Sequence, residues 1–208
     1  MDLDQEGIGT VFELVMEVFT VFLFGVWKKM WNIFLKITPV EGGDADVEIL
    51  DEELPECEYY SWIGGALAND GCIYFLPYAD YGILKLDPNN GDSLSLVKED
   101  LDGDWDNYQG AVLGSDNCIY GIPDRWNKWV VKFDPPYQHI SYGVGNLNEE
   151  ERFLGGVLVS AGNVYTANRW GQMIKLNIFN NEYTIIGEKI HNKFEKKLGL
   201  GIAYSWRG

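Results

Sequence analysis

The feature that most constrains this chain is a repeat. Three segments align: WIGGALANDGCIYFLPYADYGILKLDPNNGDSLSLV from Trp62, YQGAVLGSDNCIYGIPDRWNKWVVKFDPPYQHISYGV from Tyr108, and FLGGVLVSAGNVYTANRWGQMIKLNIFNNEYTIIG from Phe153. A fourth copy opens at Leu198 with LGLGIAYSW. The anchor glycines Gly65, Gly110, Gly156 and Gly201 are 45, 46 and 45 residues apart. Tyr74, Tyr120 and Tyr165 recur in step, as do Lys85, Lys132 and Lys175, and Asp87, Asp134 and Asn177. Self-similarity at a fixed period means stacked copies of one supersecondary unit.

Within the first copy, Gly65–Ala68 reads as a strand, and Asn69-Asp70-Gly71 as a hairpin turn that tolerates positive φ. Cys72–Pro77 is a second strand, closed by a proline that cannot donate to a ladder. Ile83–Leu86 is a third, Asp87–Gly91 a turn by composition, and Ser93–Val97 a fourth. Four short strands in 45 or 46 residues make a propeller blade. The expected fold is all-β: a partial β-propeller of about three four-stranded blades plus flanking strands, with blades at about 61–106, 107–151 and 152–197 and another started at 198–208. Residues 46–60 read as the end of a preceding blade. Open sheet edges near Val47–Leu50 and Gly201–Tyr204 make self-association an expected property.

The blades resemble those of kelch-like β-propellers, and more closely repeats reading W-x-G-G-x-L-x-x-D-G-x-I-Y-x-I-P followed by I-x-K-x-D-P. The chain carries Trp62, Gly64, Gly65, Leu67, Asp70, Gly71, Ile73, Tyr74, Pro77, Leu84, Lys85, Asp87 and Pro88 in that order. The resemblance covers about residues 60–208. It departs from kelch repeats proper, because the glycine pair precedes the first strand rather than closing the second. It implies a propeller that binds other proteins, although some such propellers are enzymes.

Ahead of the repeats, residues 8–34 are intensely apolar. An apolar α-helix is expected within residues 1–36, followed by an acidic linker or edge strand at 37–60. Glu13 and Glu17 lie four apart and would share one helix face. The longest uncharged run, Val18 to Trp27, is shorter than the roughly 20 residues of a membrane span. Three readings of residues 8–36 stay open: a membrane-spanning or interfacial helix, a helix packed on the following domain, and a secretory signal. If the segment spans, Lys28, Lys29 and Lys36 on its C-terminal side place the repeats in the cytosol; the compartment stays open, cytoplasmic or membrane-associated. Between Glu41 and Glu58 there are nine acids and no Lys or Arg, the pattern of a solvated tract.

Composition narrows the partners. Asp plus Glu is 32 against 16 Lys plus Arg, a net charge of −16, which argues against nucleic acid because phosphate backbones require a basic footprint. Three cysteines, Cys57, Cys72 and Cys118, do not form a disulfide framework or a zinc spacing. Asp100, Asp102, Asp104 and Asp106 alternate like a calcium loop, but no register puts Gly at loop position six and Glu at twelve. No metal site or cofactor is expected, and no catalytic constellation is legible.

A site is sought on the loops joining the second and third strands of each blade. They carry Tyr78, Asp80 and Tyr81; Arg125, Trp126 and Trp129; and Arg169 and Trp170. Arg and Trp dominate binding hot spots, and Trp stacks on sugar rings or cations. The competing reading packs each Trp between blades. The expected function is a non-enzymatic interaction module with a protein partner. The alternatives are a carbohydrate-binding propeller using the loop tryptophans and an enzyme whose site the sequence does not reveal.

Overall fold

The computed structural model describes residues 10–14, 18–23, 33–40, 43–50, 62–78, 82–98, 108–123, 129–142, 156–160, 162–167, 172–180 and 182–187. They form four antiparallel four-stranded sheets, each in sequence order. The first holds β1 (Thr10–Leu14), β2 (Val18–Leu23), β3 (Ile33–Pro39) and β4 (Ala45–Leu50). The second holds β5 (Trp62–Leu67), β6 (Ile73–Pro77), β7 (Ile83–Asp87) and β8 (Ser93–Lys98). The third holds β9 (Tyr108–Leu113), β10 (Ile119–Pro123), β11 (Val131–Asp134) and β12 (His139–Tyr142). The fourth holds β13 (Val157–Ser160), β14 (Asn163–Ala167), β15 (Met173–Asn177) and β16 (Glu182–Ile186). The leading strands lie side by side, β1 on β5, β5 on β9 and β9 on β13, so the sheets fan out from a common inner edge.

Two sequence expectations are corrected here. The described residues contain four complete sheets rather than about three. The described parts of the segment expected to be an N-terminal helix, within 8–36, are strands β1, β2 and most of β3; residues 15–17 and 24–32 lie outside the described residues. A continuous apolar run fits a buried strand as well as a helix, and periodicity alone does not separate them. Here Val, Thr and Phe dominate β1 and β2, and these residue types fit a pleated surface. Pairing of Glu13 with Phe19 and of Phe22 with Phe34 replaces the supposed carboxylate stripe. Among the described residues no helix is long and apolar enough to cross a membrane, which says nothing of a β-barrel. Lys36, read as a membrane flank, instead pairs with Asp92 of the second sheet.

The core is three clusters, each wedged between neighbouring sheets. Phe34 and Leu50 of the first sheet meet Trp62, Ile73, Phe75, Leu84 and Leu86 of the second. Cys72, Tyr74 and Leu76 leave the opposite face of β6 to meet Tyr108, Ile119, Val131 and Phe133. Cys118, Tyr120 and Ile122 then meet Val164, Ile174 and Leu176 of the fourth sheet. The second strand of each central sheet is therefore buried on both faces, which explains its unbroken apolar sequence. Burying one such side chain contributes roughly 1.5–3 kcal/mol.

Register also revises the glycine alignment. Ala66 pairs with Tyr74, Val112 with Tyr120, and Val157 with Tyr165. Gly65 is thus equivalent to Ala111 and Gly156, and Gly64 to Gly110. A Cβ on Gly64 would sit 3.0 Å from the Gly110 Cα, so these glycines let β5 and β9 approach backbone to backbone.

Candidate functional site

The fan has two working edges. One carries the turns between first and second strands, and between third and fourth. There Asp70 accepts the Cys72 N–H at 3.0 Å and the Tyr74 hydroxyl at 2.8 Å. Asp116 repeats the arrangement, accepting the Cys118 N–H at 3.3 Å and the Tyr120 hydroxyl at 2.8 Å. The neighbouring turns are joined by a hydrogen bond from Asn69 to Asn117.

The recurring lysines act differently in the two sheets. Lys132 donates to Asp116 at 2.7 Å, with its Nζ 5.6 Å from the Tyr120 ring centre. Lys85 donates instead to Asp87 at 2.9 Å. Asp87 also caps a short 3-10 turn through the Asn89 N–H. Burial pushes the Asp116 carboxyl upward, but hydrogen bonds from Lys132, Tyr120 and the Cys118 N–H outweigh it, leaving the group below its ordinary value. Burial, reinforced by the hydrogen bond to Asp116, pushes the Tyr120 phenol up to about 12. Burial also raises the thiols of Cys72 and Cys118, which keeps them from being thiolate nucleophiles. Asp70, Asp87, Asp116, Lys85 and Lys132 are thus hydrogen-bonded at the turns of their own sheets. These bonds fasten the turns to their own sheets.

The other edge carries the loops joining second to third strands, where the sequence places its site. Tyr78 is half-buried just after β6, and Trp129 is 48% exposed two residues before β11. Both stand at loop feet on that edge. Asp80, Tyr81, Arg125, Trp126, Arg169 and Trp170 lie outside the described residues, as do Cys57 and the acidic run from Asp100 to Asp106. At the same edge Trp62 is fully buried, and its indole N–H donates to the Gly82 carbonyl at 2.9 Å. The two described tryptophans on this edge are thus a packing residue, Trp62, and an exposed one, Trp129. Among the described residues no group of three or more His, Cys, Asp or Glu is placed to hold a metal ion.

The sequence carries one signal for the first sheet beyond the three aligned repeats. Lys36-Ile37-Thr38-Pro39 repeats the pattern of Lys85-Leu86-Asp87-Pro88 and Lys132-Phe133-Asp134-Pro135, and marks β3 as a third strand of the same kind as β7 and β11.

No protein-family model matches the chain, and no curated protein does. Solved structures do match it. Virginiamycin B lyase from Staphylococcus aureus superimposes with a TM-score of 0.59 at 13% identity over 80% of this chain. A luciferin-regenerating enzyme gives a TM-score of 0.59 at 13% identity, covering 86% of this chain and 62% of that protein. An auxiliary nutrient binding protein from Bacteroides ovatus gives 0.51 at 13% identity, covering 81% of this chain and 39% of that one. The chain spans about half the length of that virginiamycin B lyase and of a streptogramin B lyase it also matches, 51% and 52%. At these identities the likeness carries the fold, which is that of a β-propeller and is not specifically kelch.

Proposed function

We propose that this chain is a non-enzymatic binding module of kelch-like repeats. Its ligand face is the edge bearing Tyr78, Asp80, Tyr81, Arg125, Trp126, Trp129, Arg169 and Trp170. The observation that supports this reading is the contrast between Trp129, nearly half exposed, and Trp62, wholly buried. An exposed Trp beside an Arg-Trp pair is the composition of an interaction hot spot. On the turn edge opposite, Asp70, Asp87, Asp116, Lys85 and Lys132 are hydrogen-bonded within the chain.

A protein is the first partner class and a carbohydrate the second, since the same rings would stack on either. Binding of the wild-type chain is first established on a peptide library and a glycan array, then repeated with Trp126→Ala, Trp129→Ala and Trp170→Ala. Truncating a hot-spot residue costs about 2 kcal/mol or more of binding, whereas truncating a buried Trp costs about 3–5 kcal/mol of folding. Weakened binding at unchanged melting temperature supports the site. A large drop in melting temperature for all three variants would assign the tryptophans to blade packing and end the proposal.

A further inference from the structure

We infer that the far face of the fourth sheet is covered by a further inner strand formed by residues 198–206 of this chain, which lie outside the described residues. The inference is independent of the ligand face proposed above. It begins from positions that register makes equivalent. Ala66 and Val112, on the first strands of the second and third sheets, are 7% and 6% exposed because the next sheet covers them. Their counterpart Val157 is 58% exposed. Ile83 and Val130, two residues before the recurring lysine, are 0% and 2% exposed, whereas their counterpart Met173 is 44% exposed. Ile186, paired with Met173 on β16, is exposed on the same face. The fourth sheet thus presents to solvent the side chains that its neighbours bury against a following blade.

The occupant is specified by spacing and pattern. From the end of an outer strand to the next inner strand there are 12 positions from Leu50 to Trp62, 10 from Lys98 to Tyr108 and 15 from Tyr142 to Val157. From Ile186, 12 positions lead to Leu198. There the sequence Leu198-Gly199-Leu200-Gly201-Ile202-Ala203 is uncharged and glycine-bearing, like Trp62–Leu67 and Tyr108–Leu113. Glycine is what an inner strand needs, since Gly64 and Gly110 are where β5 and β9 nearly touch. A strand laid beside β13 would cover Val157 and Val159, which are 58% and 61% exposed.

Two measurements on the full chain test this. Hydrogen exchange should show the amides of residues 199–204 slowed by at least about a hundredfold, as for strands of a folded sheet. Val157→Lys should lower the melting temperature about as much as Val112→Lys and should release that protection, because a charge would enter a covered face. Fast exchange at 199–204 in the wild-type chain would overturn the inference, whether or not the variant folds. So would a melting temperature unchanged by Val157→Lys, since a lysine on an open face is tolerated. Protection that rises with protein concentration would assign the face to a second copy of the chain and would equally overturn it.

Discussion

Asp116→Ala removes the acceptor of three donors at once, so its cost can be worked from the structure. The Tyr120 hydroxyl, 2.8 Å away, belongs to a residue only 3% exposed. Hydrogen bonds to charged groups contribute about 1.5–3 kcal/mol net. The Lys132 side chain is 37% exposed, so solvent screening reduces its ion pair to well under about 1 kcal/mol. The Cys118 N–H bond, 3.3 Å long, is weak and contributes at most about 1 kcal/mol. The expected loss is about 2–4 kcal/mol, on the order of 10 °C in melting temperature for a chain of this size. Urea unfolding followed by Trp fluorescence measures it, with Tyr120→Phe and the double variant completing a cycle. The cycle should show coupling of at least about 1 kcal/mol, because removing either partner breaks the same bond. The carboxyl is held below its ordinary value in the fold. Its stabilisation is therefore fully present above about pH 4, the unfolded carboxyl range, and is lost as pH falls through the lower folded value. The gap between wild type and Asp116→Ala should narrow over that acid window. A loss under about 0.5 kcal/mol at pH 7, or strict additivity in the cycle, would refute the reasoning.

Further outcomes follow from packing and hydrogen bonding. Gly121→Ala should destabilise by about 1–3 kcal/mol through overpacking, because its Cβ would lie 2.6 Å from Leu76 Cδ1 and Val131 Cγ1 and 2.7 Å from Tyr108 Cδ1; chemical denaturation reads this directly. Trp62→Phe strips the buried Gly82 carbonyl of its indole donor and should cost about 1–3 kcal/mol, measured the same way. Lys36→Met should change stability by less than about 1 kcal/mol, since the Lys36–Asp92 pair is partly exposed and screened; a larger loss would mean that this pair fixes the first sheet against the second.

The repeat carried most of the fold into view because each blade spells its own turns. Asp70-Gly71 and the Asp87-Pro88 turn announce chain reversals by local chemistry, and Gly71 and Gly91 do adopt positive φ. The first sheet was hidden because β1 and β2 lack those signals: no Asp-Gly hairpin and no Tyr at the recurring position separate them from an apolar helix. Only Lys36 through Pro39 carried the repeat's mark. The glycine register slipped by one because Gly65 has a counterpart in Gly156 but an alanine, Ala111, between them. The site was legible only as residue type. Trp62 and Trp129 are the same letter near the same edge, and their opposite fates depend on whether a neighbouring sheet reaches them.

Because each apolar cluster spans one pair of adjacent sheets, the molecule behaves as a short linear chain of couplings rather than as a single core. The stability of such an array is approximately a sum of intrinsic sheet terms and nearest-neighbour terms. Among the described residues the second and third sheets each share two clusters with their neighbours, the first and fourth one each. Loss of order should then begin at the ends and travel inward. The calorimetric enthalpy would exceed the van't Hoff value, since two-state behaviour fails when cooperativity breaks along an array. A substitution in the cluster shared by the second and third sheets, at Tyr74 or Phe133, should sever the array in the middle. A substitution beside Phe34 would detach one end.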